Sequence, residues 1–237
     1  MYTFDSRVRY SEIGEDKKLT LYSLLNYFQD CTTFHSESLG RGMEVLEPTG
    51  YAWVLASWQV CINRYPKIGE NIHVCTWPYS FRGFCGERNF QLLTDKGEVL
   101  AYANSIWTFI NGKTGMPAKI LPEEAEAYPL EEKLDMKYAP RKIVMPGNVE
   151  MMESFTVKQH HLDTNHHVNN ARYVRMAQDY IPADYKICQM RAEYKKQALL
   201  GDEIIPQVAH TEGIYTVALC DSDGKPYAVV EFQEDGK

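Results

Sequence analysis

His160-His161-Leu162-Asp163-Thr164-Asn165-His166-His167-Val168-Asn169-Asn170 is the stretch around which the rest of the chain is read. It places an acid, an amide and an imidazole just ahead of an expected helix. If the backbone is extended, side chains alternate between faces, so Asp163, Asn165 and His167 are expected to project to one side. Asn169 and Asn170 suit a helix start, Tyr173, Val174 and Ala177 recur at helical spacing, and Pro182 follows the end. A helix start offers unpaired N–H groups and a partial positive charge, which suit a developing oxyanion. Asp and Asn also favour capping turns that carry no chemistry.

The same plan occurs earlier in the chain. A shift of 149 residues sets Val8 over Val157, Ile13 over Leu162, Asp16 over Asn165, Leu19 over Val168, Leu25 over Val174, Gln29 over Gln178 and Asp30 over Asp179 without a gap. A shift of 132 sets Trp58, Val60 and Ile62 over Met190, Ala192 and Tyr194, and Gly69-Glu70-Asn71-Ile72 over Gly201-Asp202-Glu203-Ile204. Repetition on this scale implies two copies of one structural unit.

In the first copy, Thr20 can cap a helix through Leu21, Leu24, Leu25, Phe28, Cys31 and Phe34 to Leu39, with Gly40 as its stop. Strands rich in aromatic and β-branched residues follow at 58–63, 72–77, 88–93 and 100–110, with Asp95-Lys96-Gly97 as a hairpin turn. The second copy repeats the pattern at 189–196, 204–210, 214–220 and 227–232, with a turn at Asp221-Ser222-Asp223-Gly224. Each half reads as one helix followed by an antiparallel sheet, so the expected class is α+β. The expected division is 1–120, a linker at 121–148 and 149–237. The linker is dense in acid and proline (Pro122, Glu123, Glu124, Glu126, Pro129, Glu131, Glu132, Asp135, Pro140, Pro146) and has room for one short helix.

Composition narrows the function classes. A net charge of −7 argues against a broad nucleic-acid surface, which needs clustered Lys and Arg. No run approaches the roughly 20 apolar residues of a spanning helix, and the N-terminus lacks a basic segment followed by an apolar one, so a cytoplasmic protein with no membrane partner is expected. The cysteines Cys31, Cys61, Cys75, Cys85, Cys188 and Cys220 form no C-x-x-C pair and suit reduced, packed thiols. His160, His161, His166 and His167 raise the question of a metal, but adjacent residues in an extended segment point apart, so no metal and no cofactor is expected.

The helix-then-sheet repeat, with Asp163-Thr164-Asn165-His166-His167-Val168-Asn169-Asn170 opening the second helix, resembles the acyl-acyl carrier protein thioesterases. Val8-Arg9-Tyr10-Ser11-Glu12-Ile13-Gly14, Asn63-Arg64-Tyr65-Pro66-Lys67-Ile68-Gly69-Glu70, Ser105-Ile106-Trp107 and Ile120-Leu121-Pro122-Glu123-Glu124 are also similar to that family. The resemblance covers nearly the whole chain. It implies a tandem (double) hot-dog fold, each half a long helix wrapped by an antiparallel sheet. With no plant-type transit segment before Met1, it looks like a bacterial member. The implied activity is hydrolysis of fatty acyl-acyl carrier protein to free fatty acid, with the carrier protein as partner. A tandem pair already mimics a dimer of single units; further homo-oligomerisation is compatible but not implied.

The resemblance implies catalytic roles for Asp163, Asn165 and His167. The family often carries a glutamate, sometimes followed by cysteine, after a Tyr and two basic residues; here Tyr194-Lys195-Lys196 is followed by Gln197 and Ala198. Gln197 can position water but cannot take a proton, and without a thiol at 198 an activated water is expected rather than a cysteine nucleophile. Glu193, at the same strand parity as Gln197, is a substitute carboxylate. In the first half Gly14, Asp16 and Lys18 replace the three motif residues, so that half is expected to enclose the acyl chain, with Phe28, Phe34, Trp53, Val54 and Trp58 as wall candidates or ordinary core. Coenzyme A thioester hydrolysis, with Lys195-Lys196 as a carrier patch to test against it, and a non-hydrolytic acyl-binding or dehydratase-like module are the alternatives.

Overall fold

Thr20 opens the first long helix as its sequence position predicts. In the computed structural model, which describes residues 1–234, its hydroxyl accepts the Ser23 N–H and α1 runs over Leu21–Ser38. Gly40 ends it in the left-handed region at φ 66°, where a side chain is strained. Gly40 N–H reaches the Glu37 carbonyl and Arg41 N–H the Ser36 carbonyl, the paired bonds of a Schellman stop. The buried stripe Leu21, Leu24, Leu25, Phe28, Cys31 and His35 recurs at helical spacing. Each fully buried Leu or Phe in it contributes roughly 1.5–3 kcal/mol.

The chain divides into two compact units. The first comprises Met1–Ala56 and Ile62–Tyr138; the second comprises Ser57–Cys61 and the chain from Ala139. In the first unit β1 (Tyr2–Arg7) is followed by α1, the short α2 (Met43–Leu46), β2 (Tyr51–Ile62), β3 (Asn71–Arg82), β4 (Cys85–Thr94), β5 (Val99–Asn111) and α3 (Pro122–Ala127). Its strands run in the order β1, β3, β4, β5, with β2 beside β5. In the second unit β6 (Glu150–Met151), β7 (Phe155–Thr156), α4 (Asn170–Gln178), β8 (Ile187–Tyr194), β9 (Glu203–Thr211), β10 (Ile214–Cys220) and β11 (Pro226–Glu234) follow. There the order is β8, β11, β10, β9, β6, all antiparallel, and Ser57–Cys61 of β2 pairs with β8. The second helix has 9 residues against 18 in the first, so only the first is long. β8 stops at Tyr194, two residues short of the expected strand end.

The repeat extends to the backbone hydrogen bonds of the turn and its anchors. Ile13 bridges Leu19 as Leu162 bridges Val168. Gly14 N–H reaches the Lys18 carbonyl at 2.9 Å, and Asp163 N–H the His167 carbonyl at 2.8 Å. Leu19 N–H meets the Pro66 carbonyl as Val168 N–H meets that of Ala198, and Val8 pairs with Gly69 and Glu70 as Val157 pairs with Gly201 and Asp202. Side chains that differ between the halves thus hang on one backbone plan.

The segment read as a linker is a fitted strap. Side chains alternate across β4, so Gly86, Arg88 and Phe90 face α1, as the 5.1 Å approach of the Phe90 and Phe28 rings shows. Asn89 faces the other way and is fully buried. Its Oδ1 accepts the Leu134 N–H (3.0 Å) and the Tyr138 hydroxyl (2.9 Å), and Trp77 Nε1 donates to the Glu132 carbonyl. Lys133 Nζ lies 3.6 Å from the centre of the Tyr138 ring, a cation–π contact. In the second unit, Gln59 Oε1 accepts the Ala139 N–H, Arg191 Nη2 donates to the Pro140 and Lys142 carbonyls, and Ile143 packs on Ala218, Cys220 and Val229. Among the described residues no helix is long and apolar enough to cross a membrane.

Candidate active site

The motif does not run extended. Residues 163–167 form a tight turn closed by the bridge of Leu162 to Val168, with His166 in the left-handed region at φ 61°. Asp163 makes the turn: its Oδ1 accepts the backbone N–H of Asn165 at 2.8 Å and of His167 at 3.2 Å, while its carbonyl accepts that of His166. A short carboxylate two residues before a backbone N–H competes with regular structure, which explains why strict alternation fails here. Asp163 and His167 are half-buried and Asn165 is exposed. The three residues are brought together through this turn, not along one face of a strand.

Asn169 caps α4, its Oδ1 accepting the Ala171 N–H at 2.9 Å, and Val174 and Ala177 are fully buried beneath. Tyr194, at the end of β8, donates its hydroxyl to the Asn170 carbonyl, and the Tyr173 hydroxyl accepts the Ala198 N–H. The helix start is thereby tied to the end of the sheet. The turn consumes most of its own donors: the N–H groups of residues 165–169 all have backbone or Asp163 acceptors. At the helix start, the Asn170 N–H at the first helical position has no acceptor in the turn and is available to a developing oxyanion, narrower than the sequence suggests.

Gln197 lies in an exposed loop beyond β8, so the parity argument linking it to Glu193 does not apply. The loop nonetheless meets the turn, because the Ala198 carbonyl next to Gln197 accepts the Val168 N–H at 3.0 Å. Glu193 is buried, with Oε1 2.9 Å from Lys195 Nζ and Oε2 accepting the Ile143 N–H. Its carboxylate therefore holds the strap. Lys196 pairs with Asp221 at 2.8 Å, so both lysines of the candidate carrier patch have partners in the chain.

The wall candidates separate. Phe28 is buried against Phe90. Trp53 packs its ring 5.0 Å from Phe109 and 5.8 Å from Phe81, and Gly86 leaves the room, since a Cβ there would meet the Phe81 and Trp53 rings at 3.0 Å. Val54, its neighbour on β2, must point to the opposite face. Phe34 is 45% exposed and meets Phe4 edge-on, which places it on the outside of the helix. Trp58 is buried but belongs to the second unit. Two interior residues escaped the sequence reading. Glu124 is 1% exposed, its Oε1 accepting from Trp53 Nε1, its Oε2 enclosed without a hydrogen-bond partner but 4.0 Å from Arg41 Nε, and its carboxyl pushed up by burial. Arg88 sits two residues before Phe90, in phase with the helix-facing side of β4, and that phase was the available signal. A groove of about 890 Å³ along Trp77, Gln91 and the strap contains none of the motif residues.

None of the six cysteines is in a disulfide, and burial pushes the thiols of Cys31 (to about 12), Cys75 and Cys220 up, away from the thiolate a nucleophile needs. His161 Nδ1 accepts the Lys158 N–H, which occupies that lone pair. Among the described residues no group of three or more His, Cys, Asp or Glu side chains could hold a metal ion.

The fold has close counterparts of known structure. An acyl-ACP thioesterase from Bacteroides thetaiotaomicron superposes with a TM-score of 0.89 over 98% of this chain and 97% of its own, at 23% identity. A 12:0-ACP thioesterase from Umbellularia californica gives 0.87 over 100% and 97%, at 21% identity. The architecture is the α+β hot-dog fold of those proteins. In sequence, the chloroplastic acyl-[acyl-carrier-protein] hydrolase FATB1 of Cuphea viscosissima is 27% identical over 214 residues, 80% of this chain and 49% of that protein. The chloroplastic oleoyl-acyl carrier protein thioesterase 1 of Arabidopsis thaliana is 26% identical over 221 residues, 83% of this chain and 60% of that protein. The chain thus spans about half the length of the first of these curated relatives. The family model for the acyl-ACP thioesterase N-terminal domain matches residues 1–128 and that for the C-terminal domain residues 146–232. With both halves matched, the chain belongs to the acyl-ACP thioesterase family.

Proposed function

We propose that this chain hydrolyses the thioester of fatty acyl-acyl carrier protein, releasing free fatty acid and the carrier's thiol. Asp163 carries the reading: with Oδ1 held by two N–H groups, Oδ2 is the oxygen left to take a proton from water. The resulting hydroxide adds to the thioester carbonyl, the oxyanion receives the Asn170 N–H, and the C–S bond breaks as His167 gives its proton to the leaving thiolate, the proton held on Asp163 then passing to His167 to restore both groups. Asn165 and Gln197 orient the water or the carbonyl. Ala198 and the raised thiols argue against a covalent cysteine route. The acyl chain lies in the first unit against Phe28 and Trp53.

The test is release of free acid and thiol from carrier-protein and coenzyme A thioesters of several lengths, with Asp163→Ala, His167→Ala and Gln197→Glu alongside. Faster turnover of carrier-protein thioesters, abolished in the first two variants, is expected. Equal turnover of coenzyme A thioesters would point to that substrate class instead. Gln197 favours a second reading, since a position that cannot take a proton suits an acyl-binding module. Tight acyl binding without release, rescued by Gln197→Glu, would establish it.

A further inference from the structure

Arg88 is 6% exposed, and among the described residues it makes no ion pair. Its Nη1 lies 3.0 Å from His35 Nδ1 and 3.4 Å from Thr76 Oγ1, and its guanidinium carbon lies 5.6 Å from the centre of the Tyr128 ring. A guanidinium only donates, so His35 accepts at Nδ1 and is neutral, in line with a pKa that burial and then Arg88 push down to about 4. These contacts engage one corner of the guanidinium. Nε and Nη2 find no acceptor among the described residues, and they are not sealed off, because Glu124 Oε2 is there the only fully enclosed side-chain polar atom without a hydrogen-bond partner. That edge therefore borders space that a ligand atom can occupy.

A buried cation without a counter-charge is costly, and an apolar residue of similar volume is usually tolerated better. Burial accordingly pushes the Arg88 pKa down to about 10. The Nε and Nη2 edge is the planar fork that takes an oxygen acceptor side-on. The Tyr128 ring, itself packed on Phe81, lies over the guanidinium, and Phe90, packed on Phe28, is the next residue along the same face of β4. A fork of donors set among apolar side chains selects a mostly apolar ligand carrying one acceptor.

We infer that this edge of Arg88 receives an acceptor oxygen carried on the acyl chain away from the thioester, so that oxygen-bearing chains are preferred over plain hydrocarbon chains of equal length. The inference rests on the proposed hydrolysis and on the first unit holding the chain. A hydroxyl, an oxo group and a terminal carboxylate share the required chemistry.

The experiment compares length-matched carrier-protein thioesters whose acyl chains are plain, hydroxylated in mid-chain, oxo-substituted in mid-chain, hydroxylated at the end or carboxylated at the end. The matching free acids are titrated by calorimetry. Wild type should favour at least one oxygenated chain by about tenfold or more, since unpaired donors penalise a ligand lacking the acceptor. Arg88→Met should bring that ratio to one or below while keeping turnover of the plain chain, and Thr76→Val, which leaves the fork intact, should keep the preference. If Arg88→Met does not fold, the wild-type ratios and Thr76→Val still decide. Wild type treating all chains alike, or favouring the plain one, overturns the inference. Failure to hydrolyse any thioester would sink the proposed function, and the free-acid titrations would then decide this inference independently.

Discussion

Lys17 and His166, 149 positions apart, adopt the same left-handed backbone, at φ 60° and 61°. Each is the fourth residue of a turn closed by the same pair of backbone bonds. That conformation costs an L-residue about 1 kcal/mol, and a β-branched side chain more. His166→Gly is expected to leave stability unchanged or raise it by up to about 1 kcal/mol with activity kept, whereas His166→Val should lower it by about 1–2 kcal/mol. Thermal unfolding of the two variants beside wild type measures the difference, and a more stable valine variant would contradict the assigned turn.

Asp163 holds the turn and is also the proposed base, and two substitutions separate the roles. Asparagine keeps an Oδ1 acceptor for the Asn165 and His167 N–H groups, whereas alanine does not. Asp163→Asn should abolish turnover at near wild-type stability, while Asp163→Ala should lose turnover and about 1 kcal/mol of stability, the usual cost of a lost cap. Undiminished turnover in the asparagine variant would remove Asp163 from the chemistry.

His73 joins two carboxylates, with Nδ1 2.6 Å from Asp5 and Nε2 3.1 Å from Asp95. The hydrogen bond to Asp5 is the largest cause of its raised pKa. A raised folded-state pKa means stabilisation that is complete below the unfolded value, about 6.5, and lost as pH rises through the folded one. The melting-temperature gap between wild type and His73→Gln should therefore be largest below about pH 6.5 and shrink as pH rises above it. A gap that widens with pH would reverse the assignment.

Asn89 joins β5 to the strap, its Nδ2 donating to the Ala103 carbonyl and its Oδ1 accepting from Leu134 and Tyr138. Asn89→Ala strands buried partners and should cost about 2–3 kcal/mol. Denaturant unfolding measures that cost, and limited proteolysis should show faster cleavage near Leu134. Unchanged cleavage there would mean that Trp77 and Lys133 hold the strap without it.

The sequence made the duplicated plan legible, because backbone bonds recur wherever Gly69 and Gly201, or Thr20 and Asn169, fill equivalent roles. The helix caps, the Gly40 stop and the order of strands could be read for the same reason. The shape of the motif could not: period-2 alternation holds only where a strand continues, and the Asp163 carboxylate folds the chain back after two residues. The strap was also hidden. Proline and glutamate read as linker, while the groups that fix it, Asn89, Arg191 and Glu193, lie far away in sequence. Arg88 was overlooked because an arginine on a strand reads as surface unless its phase with Phe90 is followed.

Because the turn is closed by main-chain bonds in both halves, the side chains it carries can differ between them without altering it. Gly14 stands where the other half has Asp163, and Lys18 where it has His167, on the same backbone bonds. A gene duplication can in this way shed a function in a single copy while keeping the architecture, since inheritance of shape and inheritance of activity reside in different atoms.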